Sequence, residues 1–119
     1  MEILFLGTGA ADWDFDAPNI SGIRRMSSIL IDRVLLIDPA PSSYSYLEFL
    51  QGDAAKIRDV LVTHSHGDHL NLDSLRKFAE ASHSNLRLWC HTEVKRKLEG
   101  YAIPKLDLFD ITPIIRVSI

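Results

Sequence analysis

The 119-residue sequence holds a single cysteine, Cys90. An intrachain disulfide is excluded, an oxidising compartment is not needed to explain the fold, and a cytoplasmic location is expected. The N-terminus lacks a basic stretch leading into a continuous apolar run, and no segment reaches the ~20 apolar residues of a membrane span. Secretion and membrane insertion are disfavoured on those grounds. The net charge is only -3, too slight for the broad basic field of a protein that wraps nucleic acid, although a local patch can still hold a phosphate. There is no internal repeat, no low-complexity tract and no room for a second domain. Apolar residues make up 46% of the chain, which suits one soluble core.

What is present is an alternation of short apolar runs and helical patterns. Ile3-Leu4-Phe5-Leu6 reads as a buried strand ended by Gly7-Thr8-Gly9, a tight turn that also lets a loop come close to substrate or metal. Residues 10–25 carry no periodicity and read as a long loop, a feature that in compact domains goes with function or mobility. Residues 28–31 and 34–37 are apolar runs separated by Asp32-Arg33, the spacing of a hairpin. Past the break at Asp38-Pro39-Ala40-Pro41-Ser42, residues 44–50 read as a short helix with Leu47 and Leu50 on one side. Residues 59–63 form the next strand, and residues 69–82 place Leu72, Leu75, Phe78 and Ala79 at helical spacing, a stripe suited to covering a sheet. A strand over 85–90, a helix over 93–99 with Val94 and Leu98 on one face, and one or two strands over 106–117 interrupted by Pro113 complete the chain. The alternation argues for an α/β fold with a mixed β-sheet and flanking helices.

The strand at Asp59 runs into Thr63-His64-Ser65-His66-Gly67-Asp68-His69, which delivers three imidazoles and a carboxylate within six positions. Each is a ligand for zinc or a related divalent ion once deprotonated. In an extended chain residues two apart point the same way, so His64 and His66 converge on one ion. Gly67 then lets the backbone turn and aims Asp68 and His69 at a second. The plainer reading makes these surface histidines, with Asp68 as the N-cap of the following helix. Four ligand residues in this order at a strand end outweigh it. Elsewhere the plainer readings prevail. Cys90 is a small buried hydrophobe, His83 is structural, His91 is a loop residue before a Thr92 N-cap, and Arg24 and Arg25 are solvated charges. Asp38 keeps two readings, a carboxylate that orients an imidazole through its second ring nitrogen or a turn-initiating residue before Pro39.

With these residues the chain resembles the metallo-β-lactamase superfamily, whose members carry H-x-H-x-D-H at a strand end in an αββα sandwich. The resemblance covers nearly the whole chain. Phe5-Leu6-Gly7-Thr8-Gly9 and Arg25-Met26-Ser27-Ser28-Ile29-Leu30-Ile31-Asp32 are most similar to the phosphodiesterase branch, which includes phosphoribosyl cyclic phosphodiesterases and Z-type tRNA 3′-end endonucleases. The resemblance implies that residues 1–119 form a single partial domain, the N-terminal half of the αββα sandwich. The half that normally adds two further histidines and a bridging aspartate is expected to be missing after Ile119. It implies His64 and His66 as ligands of a first ion, and Asp68 and His69 as ligands of a second. Asp68 is also the catalytic residue, orienting the attacking water or accepting its proton. Two zinc ions are expected, with manganese or iron as alternatives, and the substrate is a small-molecule or nucleotide phosphodiester. The competing expectation is a catalytically incomplete metal-binding or interaction half-domain that needs a second half or a dimer partner. In that case the chain is a homo-oligomer.

Overall fold

The leucine-rich and β-branched runs pair side by side in the order in which they occur. The structure is a computed structural model and describes residues 1–9 and 25–112. Strands β1 (Ile3–Gly7), β2 (Ser28–Ile31), β3 (Leu35–Ile37), β4 (Asp59–Leu61), β5 (Leu86–Cys90) and β6 (Leu106–Asp110) form one sheet in sequential order. The first two pairings are antiparallel and the last three parallel. The turn between β2 and β3 has Asp32 and Arg33 both at positive φ, 49° and 62°, and Val34 N donating to Ile31 O at 3.1 Å, a backbone twist that suits a tight hairpin turn. Arg33 closes it against Glu2 with an exposed ion pair of 2.8 Å. Each parallel connection carries a helix: α1 (Ser43–Phe49) followed by a single 3-10 turn (Ala54–Lys56), then α2 (Leu72–Ala81), then α3 (Thr92–Leu98).

The three described helices pack on one face of the sheet. Leu30, Leu36, Val60 and Leu88 lie in register across the four central strands, and all are buried in one cluster with Leu47 of α1, Leu75 and Phe78 of α2 and Val94 of α3. The alternate positions make up the opposite face. There Phe5, Ile29, Ile37, Leu61, Trp89 and Phe109 form an unbroken apolar row across all six strands. Phe5 at one edge is 56% exposed and Phe109 at the other 39%, and the rings of Trp89 and Phe109 stack at 4.4 Å. The neighbouring row is Ile3, Ile31, Leu35, Asp59, Arg87 and Asp107, apolar in β1 to β3 and charged in β4 to β6. Asp59 is fully buried there. Its carboxylate accepts from Arg87 at 2.7 and 2.8 Å and from the Trp89 indole N–H at 2.9 Å.

The expected elements are present with shifted ends. The strand expected over 59–63 stops at Leu61, although Val62 N still donates to Trp89 O at 3.0 Å. The helix expected from His69 begins at Leu72, because residues 67–69 form a turn whose bonds run from His69 N and Leu70 N back to His66 O. Its N-cap is Asn71, whose side chain accepts from Ser74 N at 2.8 Å, so the capping role considered for Asp68 belongs to Asn71. Likewise α3 is capped by the His91 ring and not by Thr92, because Nδ1 of His91 accepts from Glu93 N and the Thr92 hydroxyl is drawn to Asp110 and Thr112. Arg25 is not a solvated charge. It is 4% exposed, with its guanidinium 3.9 Å above the Tyr46 ring, an arrangement in which the aromatic face offsets part of the cost of burying the cation. Gly7 behaves as a close-approach glycine, since a Cβ there would lie 1.9 Å from Met26 O. The long loop as far as Arg24 and the chain beyond Thr112 lie outside the described residues.

Two measurements check this packing. Asp59→Ala leaves the Arg87 guanidinium facing a hole in the sheet and is expected to cost about 3 kcal/mol in urea unfolding, the low end for breaking such a pair because Arg87 retains some solvent. Burial pushes the Cys90 thiol up to about 11, with the Asp110 carboxylate raising it further and Lys95 opposing. A raised thiol pKa means a scarcer thiolate at pH 8, so iodoacetamide should leave the native protein unmodified and label Cys90 only after denaturation.

Candidate metal centre

Parallel pairing of β3 with β4 builds the site. Ile37 stands opposite Leu61, so the residues that leave the two strands, Asp38 on one side and Val62-Thr63 on the other, emerge together at the same edge. This is the carboxyl end of parallel strands, where open α/β sheets place their ligands. Asp38 is 4% exposed and sits in the left-handed region at φ 62°, an uncommon conformation for a residue other than glycine. Its surroundings hold it there. Asp38 N donates to Leu61 O at 2.9 Å, and Asp38 O accepts from the Ser28 hydroxyl at 2.7 Å.

Both carboxylate oxygens of Asp38 then reach the histidine turn. Oδ1 accepts from Thr63 N at 2.7 Å, while Oδ2 lies 2.7 Å from the Thr63 hydroxyl and 2.6 Å from Nδ1 of His69. Of the two readings of Asp38, the structure shows the first, a carboxylate that orients an imidazole. A proton held on Nδ1 of His69 by this contact leaves its Nε2 with a lone pair directed outward. That nitrogen lies 3.2 Å from Asp68 Oδ2, and the rings of His64 and His69 are 4.1 Å apart between centroids. The turn is anchored from two further directions, by Asn71 N donating to Pro39 O at 2.9 Å and by the Lys97 ammonium of α3 donating to Ser65 O at 2.6 Å.

The structure therefore gathers His64, Asp68 and His69, whose ligand atoms all lie within 4.8 Å of one another. These groups fit a divalent metal by their chemistry. Two imidazoles and a carboxylate are a borderline-hard donor set for zinc, and three protein ligands with room for water is the arrangement of catalytic zinc sites. His66 is placed differently. It is exposed, with its ring edge-on to His64 at 4.8 Å between centroids and outside that group. The physical reason is that the chain leaves the sheet after Leu61, so the two-residue alternation of a strand no longer governs residues 64 and 66. Gly67 also differs from expectation. It has no positive φ, and a Cβ on it would meet nothing within 4 Å, so the His66 carbonyl bonds shape the turn and glycine is not required for it. His83 is exposed, with its N–H donating to Ala55 O, and His91 serves as a helix cap. The site residue that the sequence reading missed is Thr63, whose hydroxyl touches both Asp38 and His64. Its one signal in the sequence was a hydroxyl residue immediately before the first histidine.

Residues 33–118 match the model of the Beta-lactamase superfamily domain, and the chain belongs to that superfamily, which includes metal-dependent hydrolases and binds divalent metals, usually zinc. No curated protein matches the sequence. Among solved structures, the metallo-beta-lactamase fold protein YhfI from Bacillus subtilis is similar at a TM-score of 0.72 and 15% identity, over 98% of this chain and 49% of that one. Human tRNase Z, short form, is similar at a TM-score of 0.67 and 24% identity, over 92% of this chain and 44% of that one. A diphosphatase from the PhnP family follows at 0.61 and 20%, over 91% and 49%. These likenesses fix the fold as metallo-β-lactamase. The chain spans about half the length of each of these structures.

Equilibrium dialysis against zinc, with the bound metal read by elemental analysis, checks the centre. Retention is expected in the parent protein and in His83→Ala, and is expected to be lost in His64→Ala, Asp68→Ala and His69→Ala.

Proposed function

We propose that this chain carries the water-activating metal centre of a phosphodiester hydrolase. The observation that supports this most is the His64, Asp68 and His69 group with the Nδ1 side of His69 held by Asp38. A divalent ion bound there, two zinc ions in the fullest form with manganese or iron as alternatives, supplies Lewis acidity and lowers the pKa of a coordinated water. The remaining work falls to the chain's own side chains. His64 and His69 present their nitrogens in fixed orientations, and His66, exposed beside His64 and outside that group, would become a fourth donor by turning its ring toward the ion. Asp68 holds the attacking water and accepts its proton on a carboxylate oxygen. The phosphodiester reading draws on two of the fold neighbours, a tRNase Z and a PhnP-family diphosphatase. It draws also on a cavity of about 470 Å³ beside Gly67 whose lining includes Arg76, Lys97, Tyr101 and the carboxylate of Asp73. Two cations against one carboxylate, with a ring beside them, leave the cavity net positive and suit an anionic substrate with an aromatic group. A cytoplasmic setting accords with the lone, buried Cys90.

Hydrolysis of bis(p-nitrophenyl) phosphate tests the reading. Turnover is expected to vanish on chelation, to return with zinc or manganese, and to fall by about 100-fold or more in Asp68→Ala. Full activity in Asp68→Ala, or activity indifferent to chelators, would overturn it.

A second reading is favoured by the apolar row from Phe5 to Phe109. In it the chain is a metal-binding half that turns over nothing until another sheet, from a second half or a second copy of the chain, covers that row. Sedimentation of the metal-loaded protein separates the two. An inactive monomer and an active dimer support the second reading, and an active monomer defeats it.

A further inference from the structure

Thr63 stands between a carboxylate and an imidazole, and its hydroxyl proton can serve only one of them. Oγ1 lies 2.7 Å from Asp38 Oδ2 and 3.0 Å from His64 Nδ1. A hydroxyl has one proton to donate and two lone pairs with which to accept. The Asp38 carboxylate already takes the Thr63 N–H on Oδ1 and faces His69 Nδ1 on Oδ2, and it has no proton to give back. If the Thr63 proton pointed at His64, two lone-pair oxygens would face each other at 2.7 Å with nothing between them. The proton therefore goes to Asp38, Oγ1 acts as acceptor toward the ring, and the donor is His64 Nδ1–H.

We propose that Thr63 is a positioning residue that relays the Asp38 constraint to His64. One carboxylate then sets the tautomers of two imidazoles, His69 by direct contact and His64 through a hydroxyl. In both rings the proton rests on Nδ1, in His69 because the 2.6 Å contact with Asp38 outweighs the 3.2 Å contact of Nε2 with Asp68, and the lone pair on Nε2 is left for a metal. The bond made by one ring nitrogen decides what the other can do, and here both decisions trace to a single buried side chain. The position of Asp38 follows from the β3–β4 register, so the tautomers follow from strand pairing. The relay rests on the metal-centre reading for its purpose but not for its geometry, which the contacts among Asp38, Thr63 and His64 supply.

The test uses metal-free protein and reads the tautomers from imidazole 15N shifts in long-range 1H–15N spectra of the neutral rings. Thr63→Val keeps the β-branched shape and the backbone N–H that donates to Asp38, and deletes only the hydroxyl. Thr63→Ser restores the hydroxyl without the methyl group. Parent protein and Thr63→Ser are expected to hold the proton on Nδ1 of both His64 and His69. In Thr63→Val, His64 is expected to lose that preference while His69 keeps it. Competition with a chromophoric chelator is expected to show zinc affinity falling by about 10-fold or more in Thr63→Val, within the range for lost supporting contacts around a metal, and recovering in Thr63→Ser. The relay is overturned if His64 of the parent protein carries its proton on Nε2, or if His64 holds Nδ1–H unchanged in Thr63→Val. The parent spectrum decides the first point even if a variant folds poorly. A parent protein with both protons on Nδ1 but no zinc binding supports the relay and defeats the metal-centre reading, so the two fail separately.

Discussion

Asp38 joins what the sheet determines to what the histidine turn can do. Its backbone is fixed by bonds to Leu61 and Ser28, and its carboxylate is spent on Thr63 and His69. A left-handed, nearly buried aspartate is costly by itself and persists only where its neighbours over-determine it. Here that cost sits at the carboxyl edge of two parallel strands, where a displaced backbone would carry the imidazoles with it. The hydrophobic row through Leu36 and Val60 is thus connected to the chemistry by a short path. Burial holds β3 against β4, the register sets Asp38 beside Thr63, and those two side chains orient the rings.

The helices secure the same turn from below. Asn71 both caps α2 and ties its N-terminus to Pro39, and Lys97 reaches from α3 to the Ser65 carbonyl. Each of the last two parallel connections therefore contributes a bond to the loop that carries the ligands. Local opening of α2 or α3 would release one side of the turn while leaving Asp38 in place.

Much of this was legible in the sequence because it rests on period. The alternation of buried and half-buried residues along β2, β3 and β5 and the stripe of Leu75, Phe78 and Ala79 on α2 follow from the spacing of apolar residues. The ligand residues were legible as types, and three of the four come together. What was not legible is what depends on direction outside regular structure. The strand rule that pairs His64 with His66 lapses once the chain leaves the sheet at Leu61, and a turn bonded to the His66 carbonyl delays α2 to Leu72. Arg25 looked like a surface charge because nothing local reveals that Tyr46, far along the chain, will lie beneath it. Asp38 kept two readings because both use the same residue before a proline, and only the register decides between them.

The half-buried face of the sheet is lopsided, and that asymmetry has a geometric consequence. Across β1 to β3 it offers aliphatic and aromatic side chains alone, whereas across β4 to β6 the row through Asp59, Arg87 and Asp107 sets a charged corner beside Trp89 and Phe109. A layer laid over this face can meet the apolar side in several ways. Turned end for end, however, it would bring greasy atoms onto the part-exposed Arg87 guanidinium and the exposed Asp107 carboxylate, and desolvating those charges is expensive. The Asp59 and Arg87 pair, with Asp107 beside it, would therefore act as a polarity key, letting a covering layer seat in one sense and not in the reverse.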